Sequence, residues 1–175
     1  HVIDNTSLEL GEKGLVALGR LIGYVSTNSE NSGDPDPRWM LENKLCIVTE
    51  CKIFESVDQE ISISNVRQAA GHINWIKANQ PGVSSDTKVI SLFISNSTVI
   101  DEQAKIHATD LFYCNSEDII KFAHKAIGTA RSIRRNFVEE GSVEWREFSV
   151  KMFEVDESGP EEFLNLICSK ELKEL

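Results

Sequence analysis

Lys88 to Ser95, KVISLFIS, is the segment that most restricts the fold of this chain. It is short, β-branched and apolar at positions that face both ways. A strand of that kind has to be covered on both sides, which makes it the centre of a sheet with helices above and below. Leu111-Phe112-Tyr113-Cys114 reads as a second buried strand. Asp101 to Ala108 lies between them and reads as a short helix, with Asp101 and Glu102 favourable in its first turn. Strand, helix, strand in that order implies a right-handed βαβ crossover where the two strands are parallel. A chain of 175 residues accommodates one such α/β domain with a substantial core.

A third apolar run, Lys44 to Lys52, ends differently, in Glu50-Cys51-Lys52. Strand side chains alternate faces, so Glu50 and Lys52 point the same way. A charged pair on one face of an apolar strand is costly to bury without partners. Fourteen residues before Glu50, Asp36 sits in a Pro-Asp dipeptide within the polar loop Ser26 to Pro37. Arg38 to Leu41 then reads as a short strand and Glu42-Asn43 as a turn. Two carboxylates with a nearby lysine suit metal-assisted hydrolysis. Asp36 and Glu50 would hold a hard divalent cation through oxygen, leaving the remaining positions to water and phosphate. Lys52 would position or deprotonate the attacking water, and the Cys51 carbonyl is a further candidate ligand.

Pro35-Asp36 followed by a strand ending Glu50-Cys51-Lys52 resembles the PD-(D/E)xK nuclease superfamily. The resemblance implies a restriction-endonuclease-like core, a mixed central sheet flanked by helices. It implies Asp36 and Glu50 as ligands of Mg²⁺ or Mn²⁺ and Lys52 as the catalytic lysine. A glutamate on the first helix, Glu12 or Glu9, becomes a candidate further ligand. Gln68, on the helix after the motif strand, becomes a supporting catalytic residue. The activity implied is a metal-dependent nuclease, a DNA endonuclease of a bacterial restriction or phage-defence system, cytoplasmic, with DNA favoured over RNA. RNA cleavage on the same fold and a catalytically silent nucleic-acid-binding or scaffolding domain are the alternatives. A coincidental motif in an unrelated α/β enzyme is a third, and it predicts that Asp36 and Glu50 lie far apart.

The helices frame this site. Thr6-Ser7-Leu8-Glu9 has the form of a capping box, and Leu8, Leu15, Leu18, Ile22 and Val25 make a helical stripe to about Tyr24. The glycines within it lack the preceding strand and following lysine of a phosphate loop, and instead suit close packing. Ser62 or Ser64 caps a helix reaching about Ala78, on which Gln68 and His72, four apart, are neighbours. His72 reads as structural rather than catalytic. Trp39 reads as a core anchor.

Net charge of −10 argues against a generic nucleic-acid binder, but the charge is unevenly placed. Residues 137–175 carry eleven acids and four bases. By contrast, the helix that Ser116 caps, running to about Phe137, has five bases and no acid from Lys121 to Arg135. Lys121, Lys125, Arg131 and Arg135 share the side opposite its apolar stripe. With Arg38 they are the candidate phosphate contacts.

Residues 1–140 therefore read as the core and 141–175 as an acidic helical appendage packed on it. In that appendage Trp145, Phe148 and Met152 or Phe153 lie at helical spacing, and Pro160 starts the last helix. Cys46, Cys51, Cys114 and Cys168 show no zinc spacing and read as free thiols of a reducing compartment. No run approaches the ~20 apolar residues of a membrane span. A chain starting at His1 reads as part of a larger protein, with further domains, subunits or a homodimer as candidate partners.

Overall fold

The computed structural model describes residues 11–28, 35 and 37–175. Ten main elements follow in order: α1 (Glu12–Leu21), β1 (Val25–Thr27), β2 (Arg38–Leu41), β3 (Leu45–Lys52), α2 (Ile63–Asn79), β4 (Lys88–Ser95), β5 (Leu111–Asn115), α3 (Ser116–Arg135), α4 (Val143–Val155) and α5 (Pro160–Ile167). The strands form one sheet in sequence order, β1-β2-β3-β4-β5. The first two pairings are antiparallel and the last two parallel. The protein is thus α/β with a mixed five-stranded sheet flanked by helices.

β3 and β4 occupy the middle because most of their positions are apolar and six of eight in each are buried. The alternation of their side chains divides the core in two. Leu45 and Ile47 of β3 and Leu92 and Ile94 of β4 face Leu15 and Leu18 of α1, Ile119 and Phe122 of α3, and Phe163 and Ile167 of α5. On the other face Cys46 and Val48 meet Ile76 of α2. Phe93, Leu111 and Tyr113 meet Val66 and Ala69 of the same helix. Each fully buried large side chain contributes roughly 1.5–3 kcal/mol. Trp39 is fully buried, its ring 4.8 Å from Phe163 and 5.5 Å from Tyr24, and so anchors the core. Gly19 permits this: a Cβ there would lie 2.8 Å from Trp39 Cε2.

Several local expectations are corrected. α1 ends at Leu21, because Gly23 takes φ +97° and turns the chain into β1, where Val25 is exposed rather than part of the helical stripe. The Thr6 capping box lies outside the described residues, and the helix is entered from Gly11 without a side-chain cap. Asp101 to Ala108 makes only turns and one 3₁₀ segment, Lys105–His107. α3 is capped by Asn115, whose side chain accepts from Glu117 N at 2.9 Å, while Ser116 is buried as its first residue. Ser62 caps α2 in a capping box with Asn65, as its position suggests. Among the described residues no helix is long and apolar enough to cross a membrane.

Candidate active site

β3 carries its charges at the carboxyl end, where the chain leaves the sheet. Even-numbered β3 residues face α2, so Glu50 and Lys52 share that face with Cys46 and Val48. Glu50 is only 7% exposed. Its carboxylate is nevertheless paired on both oxygens. Oε1 lies 3.1 Å from Lys52 Nζ, and Oε2 lies 2.9 Å from His72 Nε2, which projects from α2. Burial pushes the Glu50 pKa up, but the hydrogen bonds and charges of His72 and Lys52 outweigh it and hold the carboxyl below its ordinary range. Glu50 is therefore a buried, ionised carboxylate. An ionised carboxylate can only accept, so His72 Nε2 carries the hydrogen and donates.

The surrounding backbone is pinned. Glu50 stands beside Phe93, and Lys52 beside Ser95, in the parallel pairing with β4. The Asn96 side chain accepts from Phe54 N and donates to Phe54 O, each at 2.9 Å, which fixes the chain just past Lys52. Tyr113 donates its hydroxyl to Ser97 O at 2.7 Å, holding the turn after β4. The site thus lies at the carboxyl ends of the parallel strands β3 and β4.

Asp36 and Glu9 lie outside the described residues. The two neighbours of Asp36, Pro35 and Pro37, are both buried. Pro37 O accepts from Thr49 N at 3.1 Å and from Thr49 Oγ1 at 3.3 Å. The chain adjoining Asp36 is therefore bound to the residue that precedes Glu50. Glu12 opens α1 and accepts from Asn28 Nδ2 at 3.0 Å. The Cys51 side chain packs toward the core that α1, α3 and α5 cover, on the opposite face from Glu50. Its thiol is pushed up to about 11, by burial first and then by Glu50. Among the described residues no three His, Cys, Asp or Glu side chains form a metal cage. Mg²⁺ does not require one, since it is commonly held by one or two carboxylates and completed by water and substrate phosphate. A buried, ionised carboxylate beside a lysine fits that mode.

No family model, curated protein or solved structure matches the chain. Its own residues therefore carry the functional argument. Gln68 is exposed on α2, and the residue of that helix that reaches Glu50 is His72, one turn later. The signal for His72 was its place in the buried row Val66, Ala69, His72, Ile76, a polar residue where packing calls for an apolar one. Arg38 lies on the α2 face opposite Val48, with its guanidinium carbon 5.9 Å from the Trp75 ring centroid. Its Nε is buried with no hydrogen-bond partner among the described residues.

The basic face of α3 is partly neutralised. Lys121 pairs with Asp118 at 3.1 Å, and Lys125 with Glu157 at 3.4 Å. Arg131 and Arg135 are exposed. An apolar groove of about 800 Å³ lies between α3 and α4, lined by residues including Ile133, Phe137, Trp145 and Phe153, and none of Glu50, Lys52 or His72 reaches it.

Proposed function

We propose that the chain is a metal-dependent phosphodiesterase with a restriction-endonuclease-like core, cleaving nucleic acid, with DNA as the favoured substrate. A bacterial restriction or phage-defence setting follows from the resemblance. The observation that carries the reading is the pairing of Glu50 with Lys52 on one face of β3, beside a chain segment that Thr49 binds next to Asp36. In this reading Asp36 and Glu50 hold Mg²⁺ or Mn²⁺. When bound, the cation supplies positive charge for the scissile phosphate and acidifies coordinated water. Lys52, its side chain 37% exposed, orients the attacking water and offsets phosphate charge in this reading. Water adds to phosphorus, the bond to the 3′ oxygen breaks, and that oxygen leaves with a proton, giving a 5′-phosphate end. Arg131, Arg135 and Arg38 supply charge for the flanking phosphates.

One observation favours a second reading, a nucleic-acid-binding domain without catalysis. Both oxygens of Glu50 are already engaged, so the pair with Lys52 and His72 can serve as a satisfied buried charge cluster. The same experiment separates the two. Supercoiled plasmid and labelled single-stranded DNA and RNA are incubated with Mg²⁺, Mn²⁺ or EDTA, with wild type beside Asp36→Ala and Lys52→Ala. Metal-dependent cutting lost in both variants is the expected result, and the substrate cut distinguishes DNA from RNA. Absence of cutting together with absence of Mn²⁺ binding overturns the catalytic reading.

A further inference from the structure

The imidazole of His72 is buried to 7% exposure, on the helix that covers the active face of the sheet, and its contact there is with Glu50. A buried histidine whose Nε2–H is spent on a carboxylate constrains that carboxylate in rotation and in tilt. Lys52 alone does not, because an ammonium is a compact charge on a flexible stem. With Oε2 fixed toward α2 by His72, the other oxygen, Oε1, is turned toward Lys52.

We infer that His72 is a positioning residue that orients Glu50 for metal binding, donating from Nε2 to Oε2 and so fixing the direction of the carboxylate. The inference rests on the phosphodiesterase reading and adds a residue outside the Asp-Glu-Lys set. Gln68, which the resemblance makes a supporting residue for Lys52 or the water, lies exposed one turn earlier on the same helix. The physical basis is that outer partners of metal-binding carboxylates fix their direction, and removing such a partner typically weakens metal affinity or activity by about 10–100-fold.

The hydrogen bond is separated from the packing by two replacements of similar size. His72→Gln retains an amide N–H that can reach Oε2, whereas His72→Met fills the space with no donor. Mn²⁺ affinity is measured by titration calorimetry on wild type, both variants and Glu50→Ala, with thermal melting to confirm folding. The expected result is a loss of about 10–100-fold in Mn²⁺ affinity for His72→Met and near-wild-type affinity for His72→Gln. Plasmid cleavage at saturating Mn²⁺ should recover more fully than cleavage at low Mn²⁺. Equal affinity of the Gln and Met variants overturns the inference while leaving the metal site intact. Wild-type protein that binds no Mn²⁺, or Glu50→Ala protein that binds it as tightly as wild type, overturns the metal reading itself.

Discussion

Thr49 binds Pro37 twice, through its backbone N–H at 3.1 Å and its hydroxyl at 3.3 Å, with the Pro37 carbonyl accepting both. β2 begins at Arg38 opposite Val48, so these bonds extend the contact between β2 and β3 past the last ladder pair. The consequence is local and directional. The backbone that enters β2 is held against the residue before Glu50, and Thr49 is 1% exposed, so no solvent competes for the contact.

Thr49→Val removes the hydroxyl and keeps the shape and the backbone bond. One neutral hydrogen bond is worth about 0.5–1.5 kcal/mol, so thermal stability should fall only slightly. Cleavage should fall more than stability does, toward the roughly 100-fold that a 1 Å misplacement of a reacting group can cost. Equal cleavage by wild type and variant, with the melting temperature lowered as expected, would show that this contact does not place the segment containing Asp36.

Gly19→Ala tests the core beneath the site. The added methyl would meet Trp39 at 2.8 Å and Ser26 Cβ at 2.9 Å, and Trp39 is locked between Tyr24 and Phe163. Overpacking of this kind costs about 1–3 kcal/mol. At about 2–4 °C per kcal/mol for a chain of this size, the melting temperature should drop by several degrees. Gly14→Ala is the control, because a Cβ there meets nothing within 4 Å. An equal drop for both would remove the close approach to Trp39 as the cause.

The sheet was legible where composition left no choice. KVISLFIS forms β4 with the expected bounds, because a run apolar on both faces has only a central position open to it. β1 was not legible. Its three residues, Val-Ser-Thr, carry no pattern of their own, and the strand exists because Gly23 turns the chain and β2 offers an edge. At the site, alternation sufficed to put Glu50 and Lys52 together. The contact from α2 needed the helix's rotation over the sheet, which helical spacing fixes only to within a residue or so. Gln68 and His72 are neighbours on that helix, and only packing decides which of them turns inward. Charge patterning showed the basic run of α3 but not that Glu157, far away in sequence, would pair with Lys125.

That pairing makes the α3 face testable by salt. Arg131 and Arg135 are exposed, while Lys121 and Lys125 already face acids. If the arginines contact phosphates, Arg131→Gln and Arg135→Gln should each flatten the plot of log affinity against log salt by about 0.9 for duplex DNA. Lys121→Gln and Lys125→Gln should change it less. Fluorescence anisotropy with a labelled duplex between 50 and 200 mM salt, a range in which such slopes are about linear, reads all four. Unchanged slopes for both arginine variants would remove this face from the interface.

The buried thiols make the folded state sensitive to alkaline pH. Burial pushes Cys46 from 9.0 up to about 11, against a smaller lowering by the Arg38 charge. Burial likewise pushes Cys114 from 9.0 up to about 12, with Asp118 adding to it. Between pH 9 and 11 the unfolded chain loses these protons while the folded chain keeps them. The folded state then binds more protons than the unfolded state, so stability is fully present below pH 9 and falls as pH rises through that window. Urea midpoints should therefore decline from pH 9 upward, and Cys46→Ala should decline less steeply than wild type over the same range. A thiol reagent at neutral pH should react slowly with Cys46 and Cys114 in the folded protein and rapidly after unfolding, because the thiolate is the reactive form. Parallel declines for wild type and Cys46→Ala would show that the Cys46 thiol does not contribute to the loss.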